Sequence, residues 1–424
     1  MINKLLIKYK QHKQIIENFS YLGFLQFFLL IYPLITYPYL VKVLGRELYG
    51  VVLTAQMLAS YASLLIDFGS NYVCAKHVSI NRDNPKILSE IVSNVLFVRF
   101  LLFIACGFIY LIVTLVIPAY RDYFWLFILT YGFTTNDLLF PQFFFQGIEK
   151  MKFISIINIV TKVLMVILIF MLIKSAEDVL LVPVIYSIGY VVGGLIALYQ
   201  IVYKMKIKFV HPTLKASLFY LKDSSSIFAT DLICTIKDKL SYLLVGTFVG
   251  MSEVVIYDLG LKLHGIAAKP YMLISTVMFP RFAKNRNINQ LKKVLIISFC
   301  ITLLVVAVAN IFLNDIVLFF IHEECELLPL RLFLIGPLIL SISYILSNNM
   351  FVAFGYNRYV FYSMIITTSA YVICLFLAFI FTEMNTIMTF ICISLISYVA
   401  ELIYRLIKAK HIYIFEYSKE SNKQ

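Results

Sequence analysis

Apolar runs of roughly twenty residues recur from one end of this chain to the other, each closed by a short polar loop. A helix rises about 1.5 Å per residue, so about 20 residues cross a hydrocarbon core of about 30 Å. Each run therefore predicts one membrane crossing. Twelve can be drawn, at 21–41, 51–72, 90–117, 124–145, 154–173, 179–203, 227–249, 256–280, 294–320, 328–353, 360–381 and 386–407. The short alternating strands of a β-barrel are absent, and the predicted fold is an all-α polytopic membrane protein. Pro33, Pro38, Pro183, Pro270 and Pro337 lie inside the runs, where neighbouring helices or water can satisfy the freed carbonyls. Ahead of the first run, Lys4, Lys8, Lys10 and Lys13 alternate with Ile2, Leu5, Leu6, Ile15 and Ile16. That pattern fits an amphipathic helix on the membrane surface or a disordered basic leader. No small-residue cleavage site follows it, so it is not read as a cleaved signal.

The pattern also repeats. The turn Gly45-Arg-Glu-Leu-Tyr-Gly50 has a counterpart at Gly250-Met-Ser-Glu-Val-Val-Ile-Tyr257, and Arg82–Leu88 answers to Arg286–Lys292. Phe145–Lys150 answers to Phe354–Arg358, and the loop from Lys174 to the one from Phe381. All four pairs fall at an offset of roughly 204–208 residues, which marks an internal duplication. An even number of spans per repeat gives both halves the same polarity. Two six-helix lobes related by a pseudo-two-fold axis along the membrane normal are expected, with a cleft between them. The lobes are placed at 1–205 and 226–424, with 206–225 as a cytoplasmic linker.

Composition agrees with this picture: 61% of residues are hydrophobic and 14% charged, too few charges to cover a soluble protein of this length. The net charge of +13 could point to nucleic acid, but its distribution points to topology. The N-terminus, the even-numbered loops and the C-terminus hold about 25 Lys and Arg, against Lys42, Arg46, Arg121 and Lys174 in the odd-numbered loops. Both termini are therefore expected in the cytoplasm. The richest loops, 204–225 and 281–293, also resemble polybasic headgroup patches. Seven cysteines form no Cys-x-x-Cys pair, and no disulfide framework is implied.

Several chemistries are excluded. Gly45 and Gly50 have the glycine spacing of a phosphate-binding loop, but Val51 and Val52 stand where Lys and Ser/Thr are required. The histidines show no metal-ligand spacing. His264 alone lies within a span, where it reads as a packing residue. The run His322, Glu323, Glu324, Cys325 and Glu326 fits a solvated loop or a divalent-ion site. Gly189 and Gly193 form a small-residue helix contact motif. No loop is long enough for a catalytic domain, no nucleophile and base can be paired, and no cofactor is expected.

The informative residues are ionisable groups inside apolar runs. A lysine at the centre of a lipid-facing helix costs about 2.5–3.5 kcal/mol on the mildest scale. In the eighth run, Asp258, Lys262, Gly265, Lys269 and Thr276 recur at helical spacing and form one narrow stripe. In the seventh, Asp231, Thr235, Asp238 and Tyr242 share a face flanked by Lys237 and Lys239. Arg99 falls near the middle of the third run, Lys162 lies in the fifth, and Asp67 and Asp137 lie toward the cytoplasmic ends of theirs. Arg99, Lys237, Lys239, Lys262 and Lys269 are the candidate anion-binding cations, and Asp231, Asp238, Asp258 and Asp67 the candidate ion-coupling acids. Mutual neutralisation of Asp258 and Lys262, or a pairing of Lys269 with Asp231 or Asp238, is the structural alternative.

Three segments carry a family resemblance: Tyr39-Leu-Val-Lys-Val-Leu-Gly-Arg-Glu-Leu-Tyr-Gly50, Phe140-Pro-Gln-Phe-Phe-Phe-Gln-Gly-Ile-Glu-Lys150, and Val249-Gly-Met-Ser-Glu-Val-Val-Ile-Tyr-Asp258 followed by Lys262. They resemble the polysaccharide-biosynthesis and O-antigen repeat-unit flippases of the multidrug/oligosaccharidyl-lipid/polysaccharide exporter superfamily. The resemblance implies a MATE-like fold in the bacterial inner membrane. It implies transfer of undecaprenyl-pyrophosphate-linked repeat units of O-antigen, capsule or exopolysaccharide to the periplasmic leaflet by alternating access. The implied partners are the lipid-linked oligosaccharide, membrane lipids, H+ or Na+, and a polysaccharide polymerase with its chain-length regulator. Family members have cationic central cavities, and Lys262 matches the lysine of the third segment. The competing expectation is an ion-coupled multidrug antiporter of the same superfamily, which needs an acidic cleft for cationic drugs.

Overall fold

The computed structural model describes residues 2–381 and 384–421. Side chains at 2–16, 18–19, 22, 30, 234, 236–238 and 413–421 lie outside the described set. The described residues hold helices and no strand, and by contacts they divide into two compact units, Met1–Ile236 and Lys237–Gln424.

The first unit opens with α1 (Ile2–Asp67), two helices merged across a kink at Gly45, whose φ of 78° suits a residue without a Cβ. It continues through α2 (Ser70–Ile80), α3 (Pro85–Val116) and α4 (Pro118–Arg121). Asn84 caps α3 by accepting from the Lys86 and Ile87 amides, with Pro85 in the first turn. The predicted crossing at 124–145 is broken into α5 (Phe124–Thr130), a 3-10 turn, α6 (Thr135–Leu139) and α7 (Gln142–Gly147). Hydroxyls explain part of the break. Thr130, Thr134 and Thr135 donate to the carbonyls of Leu126, Tyr131 and Gly132 at 2.7, 2.8 and 2.6 Å, competing with the helical ladder. Pro141 then removes a donor. The unit closes with α8 (Met151–Leu172) and α9 (Leu181–Tyr199). Its core gathers Phe143, Phe144 and Phe145 against Cys74, Val78, Ile91 and Val92.

A helix that starts in the first unit, α10 (Leu214–Leu244), leads into the second. Beyond it lie α11 (Met251–Lys284), α12 (Ile288–Ile311), α13 (Leu313–Ile321), α14 (Leu328–Phe333), α15 (Ile335–Ile345), α16 (Asn357–Phe381) and α17 (Ile387–Ser421). Phe282, Leu291, Leu346, Met350, Phe351 and Phe354 form a core here.

Among the described residues, eight helical stretches are long and apolar enough to cross a membrane. One of them, Gly23–Ile80, runs 58 residues, which at about 1.5 Å each is far more than one crossing. It takes in all of the second predicted span and all but the first two residues of the first. The charged runs α10 and α11 and the fragmented 124–145 segment are not among the eight. On α3, Phe100, Leu101, Ile104, Phe108, Ile109 and Ile112 are all exposed while Val95, Arg99, Cys106 and Tyr110 are buried. An outer face so apolar suits lipid, not water.

The duplication is visible in the backbone. Gly45 and Gly250 both have positive φ, 78° and 138°, and so do Glu149 and Gly355, 58° and 89°. α8 and α16 begin right after the second pair, at Met151 and Asn357. Near the middle of each unit a side-chain amide closes the same gap. Asn71 Oδ1 accepts from the Phe143 amide at 3.2 Å, while Ser275 and Asn349 exchange two bonds at 2.6 and 2.9 Å.

The segment leading to α10 is strapped to α3. Ser89, Ser93 and Asn94 accept from the backbone amides of Lys208, Val210 and Thr213 at 3.1, 2.9 and 2.9 Å. The early turns of α10 then pack on the break between α1 and α2. Phe228 stacks on Phe68 at 4.0 Å, and Asp223 pairs with His77 at 2.8 Å. A Cβ at Gly69 would lie 3.0 Å from the Phe228 nitrogen. These contacts put the division between the units inside a helix, between Ile236 and Lys237.

Tight packing in the first unit can be tested at one atom. A Cβ at Gly147 would sit 2.5 Å from Val78 Cβ and 2.6 Å from the Ala75 carbonyl oxygen, and the backbone atom cannot swing aside. Gly147→Ala is expected to cost about 1–3 kcal/mol by overpacking. Gly265→Ala, where a Cβ meets nothing within 4 Å, is expected to be tolerated. Thermal unfolding of the purified variants in detergent compares them, and equal midpoints would refute the packing.

Candidate functional site

The open cationic face lies on α11. Its inner side buries Val255, Leu259, Leu263, Ala267, Tyr271 and Ser275 against α12, α14 and α15. The opposite side carries the predicted stripe. Asp258 is buried and accepts from Lys262 Nζ one turn on, so these two neutralise each other as an i,i+4 pair. Gly265 leaves open space, and beyond it Lys269 is exposed. Among the described residues Lys269 makes no hydrogen bond and no ion pair. Pro270 follows directly, within a helix that stays continuous, and leaves the Ile266 carbonyl without its helical donor. Thr276, at the stripe's end, bonds back to the Met272 carbonyl at 2.9 Å. His264 lies 3.4 Å from the Phe333 carbonyl and close to Tyr398.

Arg99 has a different setting. It is 1% exposed, and its guanidinium is held on every side within the first unit. It donates to Asp67 Oδ1 at 2.5 Å, Ser70 Oγ at 2.6 Å, Asn71 Oδ1 at 3.1 Å and the Asp137 carbonyl at 2.8 Å, and lies over the Phe143 ring. Those partners come from the end of α1, the start of α2, α6 and α7. The arginine thus ties together the break at Phe68 and Gly69, where both residues have positive φ. Lys162 is lodged between the rings of Tyr32 and Tyr190, at 5.0 and 5.6 Å, an arrangement that stabilises a cation away from water.

Of the remaining candidates, Asp67 is committed to Arg99, while Asp231 and Lys239 are half-buried on α10. The side chains of Lys237 and Asp238 lie outside the described residues. No cluster of metal-ligating side chains occurs among the described residues.

A second buried charge network was not anticipated. Glu401 and Arg405, each 6% exposed, pair at 2.7 Å on α17. Arg405 also donates to the Ser343 carbonyl and Ser363 Oγ at 2.9 and 3.0 Å. Glu401 accepts from Thr367 at 2.7 Å and Ser343 at 3.1 Å. An acid and a base four residues apart in an apolar run were the available signal. They lie near the end of the last predicted span, 386–407.

The two networks are neutralised by protein groups, whereas α11 presents in Lys269 a cation that meets no anion among the described residues. Chemically, such a face can receive a polyanion.

Comparison with known proteins supplies context. Residues 15–286 match the family described as polysaccharide biosynthesis protein. A relative from Escherichia coli (strain K12), named "Putative O-antigen transporter", is 24% identical over 291 residues, which is 68% of this chain and 69% of the relative. Among solved structures, an inward-facing multidrug resistance MATE family transporter of the MOP superfamily superposes with a TM-score of 0.66 at 14% identity, over 91% of this chain and 95% of that one. The lipid II flippase MurJ, in an inward closed conformation, gives 0.62 at 15% identity, over 92% and 87%. The architecture is therefore the all-α, MATE-like polytopic membrane fold that the hydropathy pattern and the loop motifs predicted.

The saturation of Arg99 has a measurable consequence. Removing one partner of a buried ion pair costs about 3–5 kcal/mol, so Arg99→Ala is expected to lower the yield of folded protein sharply. Arg99→Met combined with Asp67→Leu is expected to recover part of it. Fluorescence-detected size-exclusion chromatography reads both. Normal yield of Arg99→Ala with lost transport would assign the arginine to substrate instead.

Proposed function

This chain belongs to the polysaccharide biosynthesis protein family, and we propose that it turns polyprenyl-pyrophosphate-linked oligosaccharide repeat units from the cytoplasmic to the periplasmic leaflet of a bacterial inner membrane by alternating access. The cargo is a building block of O-antigen, capsule or exopolysaccharide. The observation that carries this reading is Lys269, an exposed cation midway along α11 that has no ion pair among the described residues. It lies about 13 residues from the start of its predicted span, or about 20 Å, beyond the middle of a hydrocarbon core of about 30 Å. A diphosphate crossing the membrane needs such a group, because it must give up water while its polyprenyl tail stays in lipid.

Lys262 and Lys269 are seven residues apart on one face, about 10 Å along the axis, so an anion moving outward meets them in succession. Lys262 begins paired with Asp258. When the diphosphate draws the ammonium away, the Asp258 carboxylate loses its counter-charge, and a cation from the coupling gradient restores it. Charge stays balanced at each stage, and ion entry becomes linked to cargo binding. Asp231, half-buried on α10, is a second candidate for the coupling acid.

A multidrug antiporter of the same fold would present a carboxylate to a cationic drug. Here Asp67, Asp258 and Glu401 are already paired with Arg99, Lys262 and Arg405, and on α11, among the described residues, the charge left without an ion pair is the Lys269 ammonium. That balance favours the anionic cargo.

Transport of a radiolabelled lipid-linked oligosaccharide into proteoliposomes, beside efflux of a cationic dye, tests the reading. Uptake of the oligosaccharide without dye efflux is expected, and dye efflux alone would overturn it. Lys269→Ala is expected to abolish polymer export at normal protein abundance, while Lys269→Arg retains much of it; full export by Lys269→Ala sinks the assigned role. Orientation has its own check. In intact cells, Ser225→Cys is expected to resist an impermeant thiol reagent added outside, and prompt labelling would reverse the topology.

A further inference from the structure

One pocket of the second unit has no part in moving the diphosphate. It lies where the chain turns from the Leu346–Val352 π-helix into α16, encloses about 550 Å³, and is lined by Gly355, Tyr356, Asn357, Arg358, Tyr359 and Tyr362. That volume falls within the range of about 300–1,000 Å³ typical of small-molecule sites. The rings of Tyr356 and Tyr359 are nearly parallel, 7° apart with centroids at 5.7 Å, and Tyr362, one turn on, is half exposed. Lys408 of α17 lies over the rings of Tyr359 and Tyr404 at 5.5 and 5.7 Å.

We infer that this pocket is a platform for a pyranose ring of the oligosaccharide cargo, engaged at the cytoplasmic face before the diphosphate enters the membrane. The inference rests on the flippase reading for its cargo and on the proposed topology for its side. The chemistry is that of a neutral sugar. Its C–H face carries partial positive charge and lies flat against the negative face of an aromatic ring, as the Lys408 ammonium does here. Its hydroxyls need planar, multidentate partners, and Asn357, Arg358 and the tyrosine hydroxyls supply donors and acceptors around the rings. Arg358 also favours a sugar bearing a carboxylate over one bearing an amine.

The internal duplication shows that the fold calls for a ring at only one of these three positions, Tyr359, whose contact with Phe351 repeats that of Phe153 with Phe145. At the 206-residue offset that aligns the starts of α8 and α16, Tyr356, Tyr359 and Tyr362 correspond to Lys150, Phe153 and Ile156. The same turn is therefore built in the first unit without a tyrosine. Isolated tyrosines are common where helices leave a membrane. Here three of them wall a concave pocket beside an amide and a guanidinium, which interfacial anchoring does not call for.

The test uses purified full-length protein in lipid nanodiscs and two probes. One is the oligosaccharide released by mild acid from the host's own lipid-linked repeat unit. The other is undecaprenyl pyrophosphate carrying no sugar. Tyr356→Ala with Tyr362→Ala is expected to weaken the oligosaccharide by about tenfold or more, equivalent to about 1.4 kcal/mol, and to leave undecaprenyl pyrophosphate binding unchanged. Tyr362→Phe, which keeps the ring, is expected to retain most of the sugar affinity. Lys269→Ala is expected to do the reverse of the double variant, weakening the diphosphate probe alone. Unchanged oligosaccharide affinity in the double variant overturns the platform, as does a wild type that binds only the sugar-free lipid. A lower unfolding midpoint with unchanged affinity also overturns it and makes the tyrosines interfacial anchors. A wild type that binds the oligosaccharide but not undecaprenyl pyrophosphate sinks the flippase reading and leaves the platform standing.

Discussion

A charge inside a hydrocarbon layer must be answered by another group, because no water is there to do it. That constraint sorts the ionisable residues of this chain into two kinds. Arg99 and Arg405 are answered completely by protein, each with a carboxylate and several hydroxyl or carbonyl oxygens drawn from different helices. They act as cross-links within their units. Lys269 has no such partner among the described residues, and in the proposed function the cargo diphosphate answers it. Lys262 stands between the two kinds, held by Asp258 on its own helix and able to exchange that partner for another.

How much of this was legible in the sequence depended on range. Features set by nearest neighbours along the chain could be read directly: the crossings from hydropathy, the matched turns at Gly45 and Gly250, and the stripe of α11 from helical spacing. The depth of Arg99 was readable too, but its partners were not. Asp67, Asn71 and Asp137 lie far from it in sequence, and only folding brings them together. Glu401 and Arg405 were in plain view at i,i+4 spacing. Their burial depends on Ser343, Ser363 and Thr367 from two other helices, which no local pattern reports. The fragmentation of 124–145 escaped hydropathy because it arises from hydroxyl back-bonding and Pro141, neither of which makes the run less apolar.

The two halves of the duplication have kept their turns and diverged in their interiors. In the first unit the second crossing is interrupted at Phe68 and Gly69 and tied by Arg99. In the second unit α11 runs unbroken from Met251 to Lys284 and carries the exposed cation. A break filled by an arginine and a continuous helix bearing an unanswered lysine are two outcomes from one ancestral plan.

The placement of the unit boundary inside α10 has a mechanical consequence. A loose tether between two bodies lets each turn without disturbing the other, since its dihedrals absorb the motion. A hydrogen-bonded helix is stiff in bending and in torsion. With its early turns wedged against Gly69 and Phe68 and its strap sewn to α3, α10 behaves as a shaft clamped at one end. Bending or twisting α10 at its start must then shear the Phe68–Phe228 stack, so the direction in which the helix leaves the first unit is fixed by packing and not by a loop.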